Sequence, residues 1–360
     1  ASVQALHALY ARVHFSDEEF LDLVCPMYHP DAVDLLGKLF EWSTVDPRDI
    51  DDEKYLFAKK FSEMMSHLSA FIDQRVSIIP PDRDIPNLFK LFLSIAQSQS
   101  FVVSIPILVT WTRLLRSETI AGSAAINPIV GPLLELCCSR LIRYENVPED
   151  KEDPSLLFLL EDIDTIPERH AFLGNYRRYC VQIIELIVRQ KQSQAIFHIL
   201  EQVDNGMQHL YDGQPPFSAE NYSKTSMPVL LVDAHFTAVE AALKGYAKWR
   251  SDHGSKPQED DVYDQLQAKV NEIIASGVID AKRQVSYQTF LFAIIHRATT
   301  IDPVVRHQRL EAFITPIQSL WEDPALLEPI SSFDGFCNLL GLDKVQNYLA
   351  SKRVHEIQNW

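Results

Sequence analysis

Apolar side chains recur every three or four residues along most of the chain, with polar ones in the opposite phase. In 229–250 the apolar set is Val232, Phe236, Val239, Leu243 and Tyr246, and the polar set is Asp233, Thr237, Glu240, Lys244 and Lys248. That period puts the two sets on opposite faces of an α-helix. Glu240 stands four residues before Lys244, the better orientation for an ion pair along a helix. Residues 168–190 repeat the arrangement. Leu173, Tyr176, Cys180, Ile184, Ile187 and Val188 share one face, and Arg178, Gln182, Glu185 and Arg189 the other. A third stripe, Leu310, Phe313, Ile314, Ile317 and Leu320, predicts a helix over 306–321. Residues 287–296, YQTFLFAIIH, are apolar almost all round, which predicts a helix covered on several sides.

One stretch has strand-like composition. Residues 100–111, SFVVSIPILVTW, are rich in β-branched side chains, but Pro106 removes a ladder donor, and the run continues without a turn into TRLLR. Its length predicts a buried helix bent at the proline. Further prolines, Pro26, Pro132 and Pro316, lie in apolar segments. Short polar breaks at 42–53, 79–87, 211–228 and 250–261 separate the helices. This punctuation predicts an all-α fold of HEAT-like antiparallel helix pairs stacked as a right-handed α-α superhelix. Each amphipathic pair cannot bury its face alone, so neighbours share one core. Divergent helical repeats of about 40–47 residues need show no strict sequence period, and none is visible. A compact helical bundle is the competing architecture. Residues 1–360 read as one continuous repeat segment. The opening ASVQALHALY is already in helical phase without a basic leader, as expected of an internal piece of a longer chain.

Composition narrows the function. Eleven glycines in 360 residues leave few for the turns of all-β or Gly-loop nucleotide folds. No run is expected to reach the ~20 apolar residues of a membrane span. Cys25, Cys137, Cys138, Cys180 and Cys337 have irregular spacing and form no CxxC pair, so reduced thiols are expected and zinc ligands are not. HExxH, GxSxG, P-loop and GxGxxG motifs are missing. His235 and His296 lie in apolar helices and are expected to be partly buried packing residues. A binding scaffold without catalytic residue, metal or cofactor is the expectation. A helical enzyme would need a pocket of convergent ionisable groups.

The net charge of −16 disfavours nucleic acid on the bulk surface and favours basic protein partners, although acidity also serves solubility. Acid is concentrated in 145–168, ENVPEDKEDPSLLFLLEDIDTIPE, which reads as an inter-helix loop. Either the loop is solvated with Leu156–Leu160 tucked onto the core, or it is an acidic arm for a basic partner. The arm would consist of Glu149, Asp150, Glu152, Asp153, Glu161, Asp162 and Asp164, which would steer more than anchor. Arg177 and Arg178 follow, flanked by Tyr176 and Tyr179. Such a set can grip phosphate or stacked bases, or it can pair with neighbouring acids.

Four blocks carry a resemblance: SDEEFLDLVCPMY at 16–28, FLSIAQSQSFVVSIPILVTWTRLL at 92–115 with Trp111 at its centre, FLGNYRRYCVQIIELI at 172–187, and FITPIQSLWEDPALLEPISSFDGF at 313–336. In order, they resemble the exportin-5 family of nuclear transport receptors, in the karyopherin-β class, with wording closer to fungal members. The resemblance implies a monomeric HEAT-repeat receptor shuttling between nucleus and cytoplasm, with neither membrane nor metal. It also implies binding of Ran-GTP, of protein or RNA cargo, and of Phe-Gly nucleoporins. Animal members carry structured RNA, and fungal members carry phosphoproteins. A helical-repeat adaptor without Ran dependence remains the alternative.

Overall fold

The computed structural model describes residues 2–12, 14–148, 152–213, 223, 225–253, 263–276, 281–297, 301–342 and 344–345. The described elements are helical, apart from one isolated bridge between Asp46 and Asp49 in a turn. The all-α reading therefore holds. Two compact units emerge, 1–253 with 258–287, and 254–257 with 288–360.

The first unit opens with α1 (Ser2–Tyr10) and α2 (Asp17–Glu19). A capping box starts α2: Ser16 Oγ accepts from the Glu19 N–H, and the Glu19 carboxylate accepts from the Ser16 N–H. A π turn, Phe20–Val24, and a 3-10 turn holding Pro26, Cys25–Tyr28, lead to α3 (Pro30–Trp42). Then come α4 (Asp52–Ser69), α5 (Ile72–Arg75), α6 (Ile85–Ala96), α7 (Phe101–Leu114), α8 (Glu118–Ala121) and α9 (Asn127–Ser139). Next are α10 (Pro154–Asp162), α11 (Ile166–Gln190), α12 (Gln192–Gln208), α13 (Met227–His253) and α14 (Tyr263–Ala275). Asp51, Asp84, Ser100 and Thr165 cap α4, α6, α7 and α11 by accepting backbone N–H bonds, which fixes where these helices begin.

Residues 100–111 are helical despite their β-branched content. Pro106 sits inside this helix without ending it, and serines of α4 donate to carbonyls beside it. Ser62 Oγ bonds the Val103 carbonyl at 2.5 Å, and Ser66 Oγ bonds the Pro106 carbonyl at 2.9 Å. Ser69 meets Thr110 at 3.0 Å, so hydroxyls join α4 to α7 along its length. On its far side, Ser104 reaches the Tyr176 hydroxyl of α11 at 2.9 Å. Trp111 is wholly buried against Phe89 and Phe92 of α6.

The predicted apolar face of α11 is buried at every one of its six positions. α13 packs on it closely at Gly245. A Cβ there would lie 2.8 Å from the Glu185 carbonyl oxygen and 2.8 Å from Val188 Cβ. Lys248 Nζ closes the contact on Glu185 at 2.5 Å.

Three expectations need correction. Residues 124–146 do reach the length and hydropathy of a membrane span. They are nonetheless broken into a 3-10 turn, the 13-residue α9 and a second 3-10 turn. At 1.5 Å per residue α9 is about 20 Å long, short of a ~30 Å hydrocarbon core. His296, at the end of α15 (Ala281–Arg297), is exposed, and its ring stacks on Phe292. In the second unit, α16 (Pro303–Glu322), α17 (Pro324–Ile330) and α18 (Phe333–Leu339) form as helices, yet none buries a residue. The 306–321 stripe is there, but only partly covered: Phe313 meets Phe292 of α15, while Ile314, Ile317 and Leu320 are exposed. The breaks at 211–228 and 250–261 fall mostly outside the described residues.

Candidate functional site

The acidic stretch is not one loop. After a 3-10 turn at Tyr144–Asn146, Asp153 accepts the Leu156 N–H at 3.0 Å and starts α10, with Pro154 in the first turn. A proline suits that position because its missing N–H would be unpaired there anyway. Leu156, Phe158 and Leu159 are then buried. The expected loop thus contains a nine-residue helix whose apolar side joins the core.

Its acids divide by position. Glu149 and Asp150 lie outside the described residues. Asp153 is the cap. Asp162 is only 3% exposed, so it belongs to the interior. It accepts from the Tyr55 hydroxyl at 2.6 Å and pairs with Lys59 Nζ at 2.5 Å. Tyr55 also meets Ser100 Oγ at 2.7 Å, and the Lys59 ammonium sits 4.1 Å from the centre of the Tyr55 ring. Burial, and after it the hydrogen bond to Asp162, raise the Tyr55 pKa far above its ordinary range. This cluster ties α4, the start of α7 and the end of α10 together. Glu152, Glu161 and Asp164 are exposed. Glu152 holds Arg48 at 2.8 Å, whereas Glu161 and Asp164 have no ion pair among the described residues.

Arg177 and Arg178 diverge, as neighbours about 100° apart on a helix must. Arg177 turns inward and binds Glu145 with both nitrogens, at 2.6 and 2.7 Å; the Glu145 side chain is 3% exposed. Its charge is matched by a buried carboxylate, which disfavours a phosphate there. Arg178 is exposed, bonds Asn175 Oδ1 at 2.7 Å, and lies 5.4 Å from the centre of the Tyr179 ring. One turn on, Gln182 accepts from Arg116 at 3.4 Å. Neither Arg116 nor Arg178 has a carboxylate partner among the described residues.

The sequence reading did not find Tyr55, Lys59, Ser100 or Arg116. Their partners stand 45 to 107 residues away, a separation no local pattern encodes. It also missed a cleft of about 260 Å³ at the C-terminal end of α3, where Phe40, Tyr55, Val103 and Phe158 form walls and Ser43, Thr44, Gln97 and Ser98 a polar rim. Neutral hydroxyls and amides there offer hydrogen bonds. The tightly held Tyr55 proton does not suit acid–base chemistry at neutral pH. Among the described residues no group of three or more His, Cys, Asp or Glu side chains converges on a metal position.

The model of the Exportin-5 family matches residues 52–261, more than half of the chain. An uncharacterised protein of Schizosaccharomyces pombe is 23% identical over 267 residues, covering 71% of this chain and 21% of that protein. Protein MSN5 of Saccharomyces cerevisiae is 24% identical over 279 residues, covering 77% of this chain and 22% of that protein. The chain therefore spans about a fifth of the length of these curated relatives.

Proposed function

The chain belongs to the exportin-5 family, and on that premise we propose that it forms part of a nuclear transport receptor that binds Ran-GTP together with cargo. The reading places the receptor in both nucleus and cytoplasm, and it includes contact with Phe-Gly nucleoporins during passage. The observation that carries it is the outward set Glu152, Glu161 and Asp164. These acids sit on a short helix and turn whose other side is anchored by Leu156, Phe158, Leu159 and Asp162. A rigid acidic edge on a chain of net charge −16 suits a basic protein surface. Exposed pairs of this kind are worth roughly 0–1 kcal/mol each, so the edge selects and steers.

The test is capture of the full-length protein by Ran loaded with a non-hydrolysable GTP analogue or with GDP. Binding of the GTP form alone supports the receptor. Equal or absent binding of both sinks it in favour of an adaptor. A Glu152→Gln/Glu161→Gln/Asp164→Asn variant is expected to bind a basic partner more weakly at low salt, with the loss fading as salt rises.

A second reading rests on Arg178 and Arg116. Two exposed guanidiniums without carboxylate partners, one lying on a tyrosine, suit a phosphate group of protein or RNA cargo. An Arg116→Ala/Arg178→Ala variant that binds phosphorylated and RNA cargo as tightly as the natural chain ends this reading.

A further inference from the structure

We propose that the outer face of α3, with the acidic turn that follows it, is a docking surface for a cationic amphipathic helix of another protein. Leu35, Leu39 and Trp42 stand at i, i+4 and i+7, in one strip along α3. Leu35 is 57% and Trp42 54% exposed, large for apolar side chains on a helix whose other face is packed. Trp42 is also held in place. Phe57 of α4 meets its ring edge-on at 5.3 Å, and Lys54 Nζ lies 5.7 Å from its centre. Trp42 is therefore ordered before any partner arrives, which lowers the entropy cost of binding.

Charge decides the occupant. The cations around the strip are already engaged: Lys38 with Asp34 at 2.6 Å, Lys54 with Asp51 at 3.8 Å, and Arg48 with Glu152 at 2.8 Å. Glu41, Asp46, Asp49, Asp52 and Glu53 have no ion pair among the described residues. An apolar strip bordered by exposed carboxylates in excess of the nearby cations complements a helix with apolar residues at the same spacing and Lys or Arg beside them. It repels phosphate, nucleic acid and acidic peptides. Trp42 directly precedes Ser43 and Thr44 at the mouth of the cleft, so the strip leads into a neutral polar recess. The acidic turn touches the α10 edge through the Arg48–Glu152 pair, but the α3 strip holds none of that edge's acids, so Leu35→Ser, which leaves Glu152, Glu161 and Asp164 in place, separates this proposal from the Ran reading.

The test is fluorescence anisotropy of the 360-residue chain with a labelled Leu/Lys peptide patterned at i, i+4 and i+7, against a scrambled peptide of the same composition. The patterned peptide is expected to bind at least about tenfold tighter. Leu35→Ser is expected to weaken it about fivefold at every salt concentration, because an exposed apolar anchor is lost. Glu41→Gln/Asp49→Asn/Glu53→Gln is expected to weaken it at low salt only. Circular dichroism checks that each variant is folded. Equal binding of the two peptides, unchanged binding by folded Leu35→Ser, or no binding to the folded natural chain overturns the proposal.

Discussion

α11 and α16 carry apolar stripes of the same helical period and meet opposite fates. On α11, Leu173, Tyr176, Cys180, Ile184, Ile187 and Val188 are all buried under α7, α9 and α13. On α16, Ile317 and Leu320 are among the most exposed apolar side chains, and in α18 Phe333 is 81% exposed. Amphipathic period thus decides that a helix forms and which face seeks cover. Whether the face is covered depends on neighbours far along the chain. In stacked helical repeats each unit's stability comes largely from the interface with the next. The first unit should behave as a cooperative core, and α16–α18 as helices that add little to it.

The largest expected effect breaks the core. Trp111→Ala removes a fully buried indole and is expected to cost about 3–5 kcal/mol in urea unfolding, whereas Leu320→Ala changes stability by under about 0.5 kcal/mol. Similar costs at the two positions would erase the contrast. Arg177→Ala leaves the Glu145 carboxylate buried without its partner and is expected to cost about 3 kcal/mol. A near-zero cost would return Arg177 to the list of residues available to phosphate. Gly245→Ala forces a methyl between Glu185 and Val188 and is expected to cost about 1–3 kcal/mol, read as a lower Tm.

How much of this was legible in the sequence follows from the range of the interactions. The helices at 100–111, 168–190 and 229–250 are legible because apolar period is local, and the caps at Ser100 and Thr165 that fix where two of them begin are seen only in the structure. α10 was missed although Asp153–Pro154 is a start signal, because five apolar residues bordered by acids fit loop and helix alike. The fate of Asp162 was not readable, since Tyr55 and Lys59 reach it from more than 100 residues away. Arg177 and Arg178 look equivalent in sequence. Only the position of Glu145 across the packing separates them.

The smallest effect concerns pH. Burial lowers the pKa of His67, with the neighbouring His7 acting in the same direction, and burial also lowers that of His235. Both belong to the first unit. A lowered folded-state value means that the folded chain binds fewer protons than the unfolded one just below the ordinary histidine pKa of about 6.5. Their contribution is complete above about pH 6.5 and is lost as the pH falls through the folded values. Urea midpoints of the first unit should therefore fall from pH 7 to pH 5.5 by less in His67→Gln than in the natural chain. An equal fall removes His67 from the account.

We propose that a basic transport partner docks on the acidic edge at α10, which is anchored on the core by Leu156, Phe158 and Leu159. Hydrogen–deuterium exchange of the full-length protein with and without Ran-GTP tests it most directly. Added protection is expected across α10 and the first turn of α11, with no change at α16–α18. Protection elsewhere in a Ran-bound protein, with α10 and α11 unchanged, contradicts it.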